Sequence, residues 1–135
     1  MSAAEEQITQ SLADIKPTKV EWLWRGWLPR GKVSIFEGDP DLGKSAITLD
    51  WTSVVTTGRE WPVTKIGGET QPRESTPPAG VILVGVEDDC EDTVVPRLDA
   101  AGADRARVHT VLQHRDENGL PKPFVIPDDV DRLRQ

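Results

Sequence analysis

Apolar positions along the chain change their period several times, and each change marks a predicted element. Ile8, Leu12 and Ile15 recur at helical spacing before Pro17, which predicts a short amphipathic helix over residues 5–15 or, equally, a frayed terminus. Three tryptophans follow at Trp22, Trp24 and Trp27. Packing over the start of a sheet is the favoured reading for them, with flanking of a nucleotide base as the other. Residues 32–36 read as a short buried strand. Residues 44–57 read as a helix stopped by Gly58, with Ala46, Ile47, Leu49, Val54 and Val55 as its apolar contacts.

The stretch 62–80, PVTKIGGETQPRESTPPAG, has no period and is read as an exposed connection. A loop of that length is either functional or mobile. Residues 81–86 are continuously apolar, as suits a parallel strand covered on both faces, and Glu87, Asp88 and Asp89 close them. Asp92 is the expected cap of a helix over residues 93–101, with Pro96 tolerated in its first turn and Gly102 ending it. Residues 107–113 are a third strand, HRDENGLPKP is a turn-rich loop, and residues 124–135 are an extended piece and a helix start capped by Asp128 or Asp129. Strand, helix, strand, helix, strand in this order predicts an α/β fold with a parallel sheet and right-handed crossovers.

Composition narrows the class. With 135 residues, 36% hydrophobic and 29% charged, the chain is sized for a single soluble domain. No apolar run approaches the roughly 20 residues that cross a bilayer, and the acidic N-terminus lacks the features of a secretion signal, so the cytoplasm is expected and no membrane partner. Cys90 is the single cysteine, without ligands at metal spacing, and is read as a loop thiol. The net charge of −7 argues against general attraction to nucleic acid. The last 56 residues hold seven Lys/Arg against twelve Asp/Glu, so a DNA-binding surface is not expected there.

Candidate chemistry sits in one loop. Gly38, Asp39, Pro40, Asp41, Leu42, Gly43, Lys44 and Ser45 match G-x-x-x-x-G-K-[ST] in full, between the predicted strand and the predicted helix. Glycines let the backbone wrap closely, so that amides and the helix N-terminus point at phosphates. The stretch from Gly38 to Ala46 is therefore the expected ATP-binding segment. Within it Lys44 reaches the β and γ phosphates and Ser45 ligates Mg²⁺. Asp41 stands near the phosphates and is expected to weaken binding without abolishing it, its carboxylate turned to solvent. Glu87, at the end of the second strand, lies on the rim where such sheets bind ligands. It either orients the attacking water or is simply an acidic residue emerging into solvent. A small-molecule kinase is disfavoured, because no acceptor site or Arg-rich lid is visible.

Taken together, EWLWRGWLPRGKVSIFEGDPDLGKS, GVILVGVEDD and DTVVPRLDAAGADRARVH resemble RecA-like P-loop ATPases of the AAA_25 type, akin to RepA-type hexameric replicative helicases. The resemblance runs from about residue 20, leaving 1–19 as an N-terminal segment and 20–135 as a partial RecA-like ATPase domain with the exposed loop 62–80. It implies ATP and Mg²⁺ as cofactors, Glu87 and Lys44 as catalytic residues, a homo-oligomer (a hexamer in the family), and hydrolysis coupled to DNA unwinding or replication. A non-catalytic nucleotide-binding module or an inactive remnant is the alternative. Two departures stand out. The family usually has glycine at the position of Asp41, and it continues into a strand bearing the Walker B aspartate, which is not found after Phe124. The chain thus resembles the front half of such a core, truncated before Walker B. Slow turnover, poor solubility or self-association are the expected consequences.

Overall fold

A 14-residue helix, α1 (Lys44–Thr57), is the longest element of the computed structural model, which describes residues 9–84, 89–111, 114–115 and 118–122. Its limits are those the sequence predicts, and Gly58, in the left-handed conformation at φ 70°, returns its amide to the Val54 carbonyl. The buried face overlaps the apolar set expected only in part: Leu49 and Val54 are buried and Val55 is half-buried. Leu49, Thr52, Ser53 and Thr56, at spacings of three and four, are buried together with Val54, whereas Ala46 and Ile47 are exposed. Three hydroxyls on a buried face cost little here, because each donates to its own helix: Thr52 to Thr48, Ser53 to Asp50 and Thr56 to Thr52, all at 2.8 Å.

Gly58 is also a point of close approach. A Cβ placed on it would lie 2.7 Å from the Thr76 carbonyl oxygen and 2.9 Å from Pro78 Cδ. Gly58→Ala therefore meets both a left-handed backbone and a backbone clash, and we expect it to lower stability by about 2 kcal/mol or more. Urea denaturation checks this, with an unchanged midpoint as the contrary result.

The parallel sheet is present in its simplest form. Strand β5 (Val81–Leu83) pairs parallel with β6 (Val108–Thr110), Val81 opposite Val108 and Leu83 opposite Thr110. Between them the chain makes a turn of π-helix, Cys90–Val94, that runs into α2 (Val95–Ala101). Asp89, not Asp92, caps this run, accepting from the Glu91 amide at 2.8 Å. Pro96 falls in the first turn of α2 and Gly102 ends it, as expected. Leu49, Val94 and Leu98 form the core, with Leu83, Ala103 and Val108 packed against them. Thr56 Oγ1 accepts from the Asp104 amide at 3.1 Å and so ties α1 to the end of α2.

Three other expectations change, and a fourth falls outside the described residues. Residues 33–36 lie in no strand ladder among the described residues, and Val33 and Ile35 are 94% and 85% exposed. An extended segment needs a hydrogen-bonded neighbour to become a sheet strand, and these residues have none among the described residues. Of the N-terminal helix, the described part is a 3₁₀ turn, Leu12–Asp14, capped by Ser11. The loop 114–123 contains a short antiparallel pair, β7 (His114–Arg115) and β8 (Pro121–Lys122). Residues 124–135, with the expected caps Asp128 and Asp129, lie outside the described residues.

The stretch 62–80 is more ordered than its composition suggests. It holds a hairpin of β3 (Lys65–Ile66) and β4 (Glu69–Thr70), turned by Gly67 and Gly68 at φ 60° and 87°. Two adjacent left-handed residues make the turn type whose twist suits a two-residue hairpin. A first hairpin, β1 (Trp22–Trp24) with β2 (Leu28–Pro29), packs beside it. The Ile66 side chain lies over Gly26, where a Cβ would fall 2.6 Å from Ile66 Cδ1. Arg25 pairs with Glu74 at 2.6 Å, and Trp24 Nε1 donates to the Pro62 carbonyl at 3.0 Å.

The tryptophans pack, as favoured, but on one another and on α1, not over the start of a sheet. Trp24 is stacked between Trp27 and Trp61, with centroids 5.4 and 5.1 Å away, and meets the edge of Trp51 at 5.8 Å. Trp51 in turn touches Phe36 at 5.2 Å. This aromatic column joins the first hairpin to α1 and to the residue that opens the loop 37–43.

Candidate phosphate-binding loop

Glycine, proline and aspartate between Phe36 and α1 leave residues 37–43 without regular structure, and the chain reaches the helix through two left-handed residues, Asp41 (φ 62°) and Gly43 (φ 79°). Asp41 is the only non-glycine with positive φ among the described residues. Aspartate tolerates this conformation better than most side chains. Its carboxylate makes no hydrogen bond within the described residues, and the residue is exposed like the rest of the loop.

Lys44 is the first residue of α1, and its ammonium folds back over the loop. Its Nζ donates to the carbonyls of Gly38 and Asp39, both at 2.6 Å. The loop is thus closed around a cation at the N-terminal end of a four-turn helix. The amides of the first helical turn have no intrahelical acceptors, and helix dipole and ammonium both favour an anion there. Ser45 follows on the exposed side of that turn, and its hydroxyl has no partner among the described residues. A cation, open amides and an available hydroxyl at adjacent positions are the donor set that a Mg²⁺–nucleotide requires, so the residues present fit that group.

Gly38, Asp39, Pro40, Leu42 and Ala46 lie along the same loop and first turn, all exposed. The expected partner on the sheet rim, Glu87, lies outside the described residues; the strand that leads to it is described through Leu83. Cys90, exposed, opens the π-helical turn and is not in a loop as expected. Among the described residues no cluster of His, Cys, Asp and Glu is placed to hold a metal, and no helix is long and apolar enough to cross a membrane.

Sequence reasoning missed the contact of Phe36 with Trp51. It links the start of the loop to a side chain on the helix that the loop precedes. Its signal was the phasing of Trp51 seven residues after Lys44, two helical turns along α1.

No curated protein and no solved structure matches the chain. A family model described as AAA domain, AAA_25, matches residues 3–135. A nucleotide-binding ATPase family agrees with a glycine-bounded loop closed around a lysine at a helix N-terminus, and the chain belongs to the AAA_25 family of AAA domains.

Proposed function

We propose that the chain binds ATP with Mg²⁺ at residues 38–46, as the ATPase domain of a RecA-like, helicase-type protein acting on DNA. The observation that carries this reading is the Lys44 ammonium held over the Gly38 and Asp39 carbonyls at the start of α1. Lys44 holds the β and γ phosphates, the first-turn amides orient them, and Ser45 supplies the metal-ligating hydroxyl. When bound, Mg²⁺ supplies charge neutralisation across those phosphates. Glu87 is the proposed residue that orients the attacking water, and assembly into a homo-oligomer, a hexamer by family resemblance, is part of the same proposal. A second reading, nucleotide binding without turnover, is favoured by one observation. The segment 33–36 that leads into the loop is not fixed in a sheet among the described residues, and hydrolysis depends on rigid positioning.

Titration calorimetry with Mg·ATP tests the site, and phosphate release tests turnover. Binding with release that Glu87→Gln suppresses supports the ATPase; binding without release supports the second reading; no binding rejects both. Asp41→Gly sharpens the first measurement. An exposed carboxylate about 4 Å from a phosphate costs about 1 kcal/mol in a water-like dielectric, so the glycine variant is expected to bind Mg·ATP about fivefold more tightly. An equal or weaker affinity would show that Asp41 does not oppose the ligand.

A further inference from the structure

The first hairpin carries chemistry that the phosphate loop does not use. Residues 16–32 hold five cations, Lys16, Lys19, Arg25, Arg30 and Lys32, against one carboxylate, Glu21, in a chain whose net charge is −7. Lys19, Arg30 and Lys32, with Glu21 as the one carboxylate, line a polar groove of about 320 Å³ at the open end of the hairpin, formed by the residues before β1 and after β2. Five other guanidinium groups among the described residues pair with a carboxylate: Arg25 with Glu74, Arg59 with Asp50, Arg73 with Glu60, Arg105 with Asp99 and Arg107 with Asp104. Arg30 instead donates its Nε to the Trp22 carbonyl at 3.3 Å, and neither it, Lys19 nor Lys32 meets a carboxylate side chain among the described residues.

At the turn end of the same hairpin Trp27 is 57% exposed. One face of its ring stacks on Trp24, at an interplanar angle of 19°, and the other meets no ring among the described residues. Trp24 is itself braced by Trp61, so the exposed ring is the outer layer of a rigid stack. Three residues of strand separate the two ends, a span of about 10 Å at ~3.3 Å per residue.

We propose that this hairpin binds single-stranded nucleic acid, with phosphates in the groove of Lys19, Arg30 and Lys32 and a base stacked on Trp27. Unpaired cations beside an open aromatic face are the two components of sequence-tolerant single-strand binding. A duplex keeps its base faces covered by their neighbours, and an acidic peptide offers the charge without the planar face. The chain is acidic overall, so attraction of a polyanion is expected where its cations cluster, as in this hairpin. The proposal does not rest on the phosphate loop, and the two fail separately.

Fluorescence anisotropy with a labelled oligothymidine of about 12 nucleotides tests it in the full chain. Binding is expected to weaken with salt at a log–log slope of about −2, the value for three phosphate contacts on a single strand. Trp27→Ala is expected to weaken binding about fivefold to a hundredfold. The triple change Lys19→Gln, Arg30→Gln, Lys32→Gln flattens the salt slope, and Arg30→Lys retains it. Arg30→Gln alone, checked by circular dichroism against the parent, lowers the slope by about 0.7 and guards against misfolding of the triple variant. Any one of four results overturns the proposal: no binding at low salt, folded variants that bind like the parent, equal competition by polyglutamate, or tighter binding of the matching duplex.

Discussion

Lys44→Ala is expected to weaken Mg·ATP binding about a hundredfold or more. The ammonium is the one cation that the structure places over the 38–43 loop among the described residues, and it already donates to two carbonyls at 2.6 Å. Hydrogen bonds involving a charged group contribute about 1.5–3 kcal/mol each. Two such bonds to phosphate oxygens correspond to two or more powers of ten in affinity. The substitution also releases the Gly38 and Asp39 carbonyls from the cation that closes the loop around them, so the loop amides lose their alignment as well as the charge. Calorimetric titration reads the change, and an affinity within threefold of the parent would remove Lys44 from the site. Lys44→Arg separates charge from shape: the guanidinium keeps the charge but is planar and longer, so recovery is expected to be partial.

Trp61→Ala is expected to be the most damaging change to stability. Trp61 is 1% exposed and the largest fully buried side chain described, and it stacks on Trp24 at 5.1 Å. Removing a buried tryptophan costs about 3–5 kcal/mol, a large share of the roughly 5–15 kcal/mol that holds a domain folded. Thermal melting is expected to move down by about 10 °C or more. The indole carries a handicap of its own, since its Nε1 is buried without a hydrogen-bond partner among the described residues. An orphaned donor costs about 1–3 kcal/mol. Trp61→Phe keeps a ring in the stack and discards that donor, so its loss should be well below that of the alanine variant. Equal losses for the two would mean that a ring retained at this position contributes nothing to the fold.

The contrast between α1 and the segment before it shows what this sequence makes legible. The limits of α1 follow from local chemistry, with a lysine after glycine at one end and a left-handed glycine at the other. Its buried face does not, because Thr52, Ser53 and Thr56 read as polar yet bond back to their own helix. Residues 33–36 have the opposite character. Their apolar run reads as a strand, but pairing is a property of neighbours and cannot be deduced from the run itself. The hairpin β3–β4 was legible in principle, since a Gly-Gly pair lies between Lys65–Ile66 and Glu69–Thr70, but the surrounding Pro, Ser and Thr masked it. At the site, the positions of Lys44 and Ser45 at the start of α1 were readable from the motif. The return of Lys44 to the carbonyls of its own loop was not, because a motif specifies residue types and not the state of the loop.

The aromatic column also determines how this protein interacts with light. Four of its five tryptophans are joined through Trp24, which stacks on Trp27 and Trp61 and meets the edge of Trp51, close enough for excitation to pass from ring to ring before emission. The outermost ring of this set is Trp27, and its inner end, Trp51, touches Phe36 at the start of the 37–43 loop. A disturbance at either end changes the emission of the whole stack.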